Sequence, residues 1–443
     1  RTGGVSNLLQ DDGGSYERSG SDILKFDMSE YEIDLINQDG ECYMPLQTID
    51  DLLVSRNYVF VVYNGEKVIA SAHGTALTDE MYEAPTGEMS EEFAQFNYNE
   101  LRFLMDTFYG LKPEHGIDNF GDYFSSTGLL LDLAGTDSNA FDNALRRLTM
   151  KYFDDGHSAL LKKSYLSGKM DLNDPDELDK SLSSLGLSSN TMGISGMLRK
   201  LKRQEYYPDR PEFDALTDGE GACLYEEVGD TAIITFDSFS AKKKDYYAEA
   251  DLTNPQDTME LIAYAHSQVT RKDSPIQNVV LDLSCNGGGD ADAAVFVLAW
   301  FMDSGKIALK DTLTGAQSIC SFNADINMDG NFDFDDQLPV EINRYCVISN
   351  ASFSCGNLVP AAFKGSNNIT LLGTTSGGGT CAVLPCTTAS GAIFAMSGPM
   401  QISTVKNGSF YNVDTGVDPD FTVKKMDTLY DREKLVEYIH TLP

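Results

Sequence analysis

The stretch that most constrains this chain is Val279-Val280-Leu281-Asp282-Leu283-Ser284-Cys285-Asn286-Gly287-Gly288-Gly289-Asp290, an apolar run that stops in a polar, glycine-rich turn. So apolar a run fits a strand covered on both faces. Consecutive glycines leave backbone N–H groups unshielded, open to a ligand. The helix-compatible run Ala293–Met302 follows, so the turn lies at a strand end and near a helix N-terminus, where negative charge is stabilised. Phosphate and dinucleotide loops use the same device, but neither a GxxxxGK followed by Ser or Thr nor a GxGxxG is present. The chemistry has to come from other parts of the chain.

The chain has 443 residues, room for two or three domains, with 33 basic against 68 acidic residues and a formal net charge of −35. That charge argues against nucleic acid or an anionic membrane as partner, and suggests solubility outside a cell or cation binding. No apolar run is long enough to span a membrane, and Arg1–Ser6 lacks the apolar segment of a signal peptide. The chain is therefore expected to be soluble, with any leader removed. The eight cysteines (Cys42, Cys223, Cys285, Cys320, Cys346, Cys355, Cys381, Cys386) show no metal-ligand spacing; Cys381 and Cys386 suit a small disulfide loop or buried thiols.

In chain order, residues 1–30, rich in Gly, Ser and Asp, read as a tail or linker. Residues 31–95 read as a small α+β accessory domain, with a hairpin signalled by Asn64-Gly65 between two β-rich runs. Residues 96–210 have helical apolar spacing and include a helix over Ala140–Met150 that runs out into Asp155-Gly156-His157-Ser158. Leu182–Lys202 reads as helix and connection, and residues 160–220 show no peptide-binding PDZ domain. Residues 211–443 alternate strands and helices: strands within 222–239, a helix over Thr258–Val269, then strands at 279–283, 345–350 and 369–373. This order predicts right-handed crossovers and a partly parallel sheet, an α/β (α+β) core. Ser354 falls at the turn between the 345–350 strand and the next helix. A serine there can cap the helix or expose a nucleophile, and the residues alone leave both open.

Residues 325–336 form a separate signal. Asp325, Asn327, Asp329, Asp333 and Asp336 fall at positions 1, 3, 5, 9 and 12 of an EF-hand-type loop, with Gly330 at 6 and the carbonyl of Asn331 at 7. This spacing predicts a structural Ca2+ site in an insertion over about 321–338, with Asp336 where Glu is usual, similar to dockerin-type loops. No organic cofactor is expected.

Four phrases taken together, in order and spacing, carry a resemblance: NVVLDLSCNGGG, VISNASFSCGNLVPAAF, ITLLGTTSGGGT and VDTGVDPDF. They resemble the C-terminal processing (tail-specific) serine peptidases, the family that includes the tricorn core, across about residues 95–443. The resemblance implies a mixed-sheet core with crossover helices, Ser354 as nucleophile, Asn357 in the usual Glu place, and backbone N–H groups of Cys355 and of Gly287 or Gly288 as oxyanion donors. The Ser–Lys branch of the family places a lysine where this chain has Gly379, whereas the tricorn-like branch uses a histidine from a loop that Asp155-Gly156-His157-Ser158 matches. His157 is therefore the implied general base. The family's late acid falls on Val413, so Asp414, one place later, is the implied substitute; the helper serine is likewise displaced, with Gly156 before the histidine and Ser158 after it. The phrase Tyr43–Leu53 with its hairpin resembles the N-terminal domain of copper amine oxidases, an accessory domain without copper chemistry.

The expectation is a secreted or cell-surface bacterial serine peptidase acting on peptides or proteins through an acyl-enzyme on Ser354, its oligomeric state left open. The alternatives are a catalytically inactive peptide- or ligand-binding protein of the same fold and a calcium-dependent cell-surface interaction module.

Overall fold

The structure is a computed structural model that describes residues 6–18, 23–71, 79–83, 86–169, 192–207, 224–364, 366 and 368–443. Much of the connection expected before Met192, most of the 160–220 stretch read as lacking a PDZ domain, and Cys223 lie outside these residues. The chain opens with β1 (Leu9–Arg18), β2 (Ile36–Gln38), β3 (Glu41–Tyr43), β4 (Phe60–Tyr63), β5 (Val68–Ser71) and β6 (Ala159–Lys162). Then come β7 (Leu224–Val228), β8 (Thr231–Thr235), β9 (Asn278–Asp282), β10 (Gly305–Asp311), β11 (Ala316–Ala324) and β12 (Asn343–Ile348). The last are β13 (Ile369–Gly373), β14 (Cys381–Thr387), β15 (Ile393–Lys406), β16 (Ser409–Tyr411) and β17 (Phe421–Thr422).

Among the described residues the site is built on two sheets of opposite character, giving the mixed α/β fold expected. One has the order β17-β13-β12-β9-β8-β7 and is parallel throughout except for the β7–β8 edge pair. Its apolar run is buried on both faces, as a central parallel strand requires. Val279 and Leu281 pack with the helices Thr258–Val269, Ala291–Met302 and Cys355–Phe363. Val280 lies on the other face with Leu435, Val436 and Ile439 of the helix Arg432–Ile439. Each such side chain contributes about 1.5–3 kcal/mol of burial. Strands this apolar fix the register, and so the height at which each loop leaves the sheet.

The second sheet is antiparallel, β1-β11-β10-β15-β14, with β6 and β16 also paired to β15. A helical layer, the helices Glu91–Phe108, Phe120–Ser126 and Ser138–Arg147, packs its aromatic side chains against Leu384, Phe394 and Met396 of this sheet. Residues 1–30 are corrected here. Residues 9–18 are an edge strand paired with β11, and Leu8 and Leu9 sit in the main core. The glycine content that reads as a tail has a steric cause: a side chain at Gly14 would lie 1.9 Å from the Ile319 carbonyl oxygen of β11.

The hairpin at Asn64-Gly65 forms between β4 and β5, with a four-residue connection because Tyr63 pairs with Val68. The Asn64 side chain accepts the N–H groups of Glu66 and Lys67 and closes the turn. The segment around it is held against β14: Gln47 donates to the Thr387 carbonyl, and the Thr387 hydroxyl donates to Asp50. No helix among the described residues is long and apolar enough to cross a membrane. The described cysteines, Cys381 and Cys386 included, are free thiols.

Candidate active site

The end of β12 is stitched to the glycine turn after β9. Ser349 donates through its hydroxyl to the Ser284 carbonyl, Ser352 donates to the Leu283 carbonyl at 2.7 Å, and the Phe353 N–H donates to the Asn286 carbonyl at 2.9 Å. The next residue, Ser354, has φ 55° and ψ −122°, a conformation costly for any residue with a side chain. Its N–H is held by the Gly378 carbonyl at 2.8 Å. Although Ser354 occupies the cap position of the helix Cys355–Phe363, its hydroxyl makes no capping bond. The hydroxyl does not cap the helix, and the half-buried Ser354 sits on a strained strand-to-helix turn.

The glycine run contributes differently from expectation. The Gly287 N–H donates to the Asp237 carbonyl at 3.0 Å, and the Gly288 N–H donates to the Asn286 side-chain oxygen at 2.9 Å. Both amides are occupied, so neither is a ready oxyanion donor. Among the described residues the N–H groups of Gly289 and Cys355 have no acceptor. These two border the same cavity as Ser354. Gly288 instead provides clearance, since a Cβ there would lie 2.6 Å from Ser354 Cβ and 3.1 Å from Ser354 Oγ.

His157 follows a tight bend in which Asp154 (φ 44°) and Gly156 (φ 75°) are both left-handed. Asp155 organises the bend: it accepts the N–H of His157 at 3.1 Å, the N–H and hydroxyl of Ser158 at 2.7 Å each, and the Tyr109 hydroxyl at 3.0 Å. Ser158 is therefore turned toward Asp155 and the Ser397 N–H, and does not steady the imidazole. The His157 ring packs on Phe353, centroids 4.6 Å apart, and its Nδ1 is buried without a partner among the described residues. Burial pushes its pKa below the usual 6.5 against the opposing pull of Asp155 and Asp414. The ring is thus neutral near pH 7, as a base must be.

Asp414 lies close enough to His157 to act on its titration, yet in this conformation its Oδ1 accepts from the N–H and hydroxyl of Thr380 at 2.9 and 3.1 Å. Val413, in the place of the family's usual acid, is buried and gives its carbonyl to the Asn357 side chain at 3.0 Å. Asn357 also accepts the Ser376 hydroxyl at 2.6 Å, and that hydroxyl accepts the Val417 N–H at 2.7 Å. One side-chain chain therefore ties the helix after Ser354 to the 374–380 turn and to Val413 and Val417. At Gly379, φ 88° and the Phe353 ring, 2.4 Å from where a Cβ would lie, mean that a lysine there would be strained and would have to displace the ring.

Ser354, His157, Gly289 and Cys355 line one open cleft of about 280 Å³. A larger groove, about 700 Å³, lies between the β2–β3 hairpin and the helix Glu91–Phe108, and no candidate catalytic side chain reaches it. Tyr58 also lines the smaller cleft. Its sequence neighbourhood, Ser55-Arg56-Asn57, carries no motif. The choice among three consecutive glycines is equally hidden in the sequence, because only the partners of their amides separate them.

Residues 325–336 join β11 of one sheet to β12 of the other. Asp325 accepts the N–H groups of Asp329 and Gly330 and the Tyr247 hydroxyl, and Asp336 accepts those of Ile326, Asn327 and Asp333. The two end carboxylates thus lie in one closed loop, each holding backbone N–H groups. Asn327, Asp329 and Asp333 instead make local turn bonds, Asp329 with Asn331. Among the described residues no three acidic, histidine or cysteine side chains are grouped to hold a metal.

Residues 230–423 match the model of peptidase family S41. Among solved structures, a mutant of CPAF aligns with a TM-score of 0.50 at 12% identity, over 80% of this chain and 98% of that one. A lipoprotein from Streptococcus agalactiae aligns at 0.42 and 14%, over 79% and 97%. The photosystem II D1 C-terminal processing protease aligns at 0.34 and 18%, over 47% of this chain and 46% of that one. These likenesses are of fold. No curated protein matches the chain.

Proposed function

From its place among the C-terminal processing peptidases, family S41, over residues 230–423, we propose that this chain hydrolyses peptide bonds with Ser354 as nucleophile and His157 as general base. Membership makes it a serine peptidase by family, with a peptide or protein substrate. The observation that carries the finer reading is Ser354 itself: a non-glycine residue at φ 55° whose hydroxyl caps nothing and faces a cleft shared with a half-buried, neutral histidine. Strain of this kind persists where the surrounding structure enforces it.

In the proposed reaction the Ser354 oxygen attacks the substrate carbonyl carbon as His157 takes its proton. The N–H groups of Cys355 and Gly289 receive the developing oxyanion. Collapse expels the amine with the proton from His157, and water then hydrolyses the ester by the same route in reverse. Asp414 supplies negative charge near the imidazolium, and reaching the unpartnered Nδ1 requires it to exchange Thr380 for His157. We also propose that the 325–336 loop takes calcium as a structural ion, supported by its spacing and by Asp325 and Asp336 in one loop between the two sheets. A secreted or cell-surface bacterial setting, supported by the acidic composition, belongs to the same reading.

Peptide turnover tests it. Replacing Ser354 or His157 by Ala should remove hydrolysis with the fold intact by circular dichroism, and unchanged turnover in His157→Ala would end the Ser–His assignment. Absence of turnover in the wild type would favour the catalytically inactive peptide-binding alternative.

A further inference from the structure

The cleft at Ser354 is closed on one side by a residue from outside the matched core. Tyr58 follows the short turn Ser55–Asn57 in the N-terminal segment and lines the cleft together with Val383, Ile402 and Leu358. Its backbone is left-handed, φ 59° and ψ 37°, with its N–H donating to the Ser55 carbonyl at 2.9 Å. A tyrosine there is disfavoured, since such positions suit Gly, Asn or Asp. The residue is 46% exposed, and its hydroxyl makes no hydrogen bond among the described residues.

What holds the ring in place is the seam beneath it. Ser55 donates to the Asp51 carbonyl, and Asn57 donates to the Leu53 carbonyl at 2.7 Å. Two residues beyond Tyr58 begins β4, whose Val61 carbonyl accepts the Thr387 hydroxyl of β14 at 3.1 Å. Arg56 reaches Asp311 of β10 at 3.6 Å. The turn is therefore bonded on both sides, and the ring is presented at a fixed place on the rim. Val383 of β14, at the same cleft, is 38% exposed. An aromatic residue and an exposed Val383 beside the half-buried Ile402 line one wall of the cleft and form an apolar subsite open to an apolar group.

We propose that Tyr58 is a specificity-determining residue of this cleft, forming with Val383 and Ile402 a subsite for an apolar side chain of the peptide. The proposal rests on the serine peptidase reading for the reaction, but the contact itself does not require turnover. Tyr58 touches substrate and takes no part in the bond-breaking step, so its loss weakens peptides with a large apolar residue near the scissile bond and spares those with glycine there.

The test uses full-length protein and two peptide series differing only by Leu or Phe against Gly at each position near the cleavage site. In Tyr58→Ala, kcat/KM for the apolar series should fall about 10-fold, the glycine series should be unchanged, and Tyr58→Phe should behave as wild type. The same peptides titrated calorimetrically into Ser354→Ala should bind about 10-fold more weakly when Tyr58→Ala is added. Equal rates and equal binding for both series in Tyr58→Ala would overturn the proposal, as would an equal loss across both series with the melting temperature unchanged. A wild type that turns over neither series while the Tyr58-dependent binding difference persists would overturn the peptidase reading and support this one.

Discussion

Behind the turn at Ser354, buried carboxylates are paired with cations, whereas among the described residues those at the seam under Tyr58 are not. Asp237 takes a bidentate pair from Arg203 at 2.8 Å per bond, and Asp282, at the end of β9, is bonded to Arg432 at 3.1 Å. Burial alone would raise the Asp282 pKa, but Arg432 and Arg203 outweigh it and hold the group below its usual value. At the seam, Asp50, Asp51 and Glu100 are equally buried, and no cation pairs with them among the described residues. Burial pushes Asp50 and Glu100 up to about 7, and burial with the neighbouring Glu100 and Asp50 raises Asp51 well above its usual value. The difference teaches where rigidity is independent of pH. The Asp237 carbonyl holds Gly287, so the ion pairs fix the turn under Ser354, while the attachment of the N-terminal segment depends on protons.

The largest effect that would break this contrast is Arg432→Met. It strands Asp282 in the core, and removing one partner of a buried pair costs about 3–5 kcal/mol. Urea denaturation should show that loss. A loss under about 1 kcal/mol would mean that the pairs are not what holds the turn.

Next comes the pH dependence of the seam. Raised carboxylate pKa values mean that the folded state holds protons the unfolded state has released. The stabilisation is complete below the ordinary carboxylate value of about 4 and is lost as pH rises toward the folded values near 7. The melting temperature should fall between these limits, and Asp50→Asn with Glu100→Gln should flatten the slope. A melting temperature independent of pH over this window in the wild type would show the seam to be charged and solvated.

A smaller effect tests the third acidic region. Its end carboxylates, Asp325 and Asp336, make no ion pair among the described residues and are answered by backbone N–H groups. Saturating calcium, about a hundred-fold over Kd, should add about 2.7 kcal/mol, seen as a rise in melting temperature that Asp325→Ala with Asp329→Ala abolishes. No rise would leave a closed acidic loop without an ion.

The sequence exposes the parallel core because a strand buried on both faces cannot hide its apolar run, and it marks Ser354 as a turn residue whose role, cap or nucleophile, the residues alone leave open. It exposes His157 through the loop motif, and Asp155, inside that motif, proves to be the group that shapes the bend. Other features depend on distant partners and leave no local mark. Residues 9–18 look like a tail because β11 approaches too closely for anything but glycine at position 14. The amide of the glycine run left without an acceptor among the described residues is that of Gly289 rather than Gly287 or Gly288, because Asp237 and Asn286 claim the first two. Tyr58 reaches the cleft through tertiary packing alone.

The central claim is that Ser354 is a nucleophile activated by His157, and labelling with a fluorophosphonate followed by peptide mass mapping tests it most directly. The account predicts a single adduct on Ser354, a rate that falls about 100-fold or more in His157→Ala, and an acid limb below pH 6.5, since burial lowers the His157 pKa. Labelling that survives Ser354→Ala, or an adduct mapped to another residue, would contradict it.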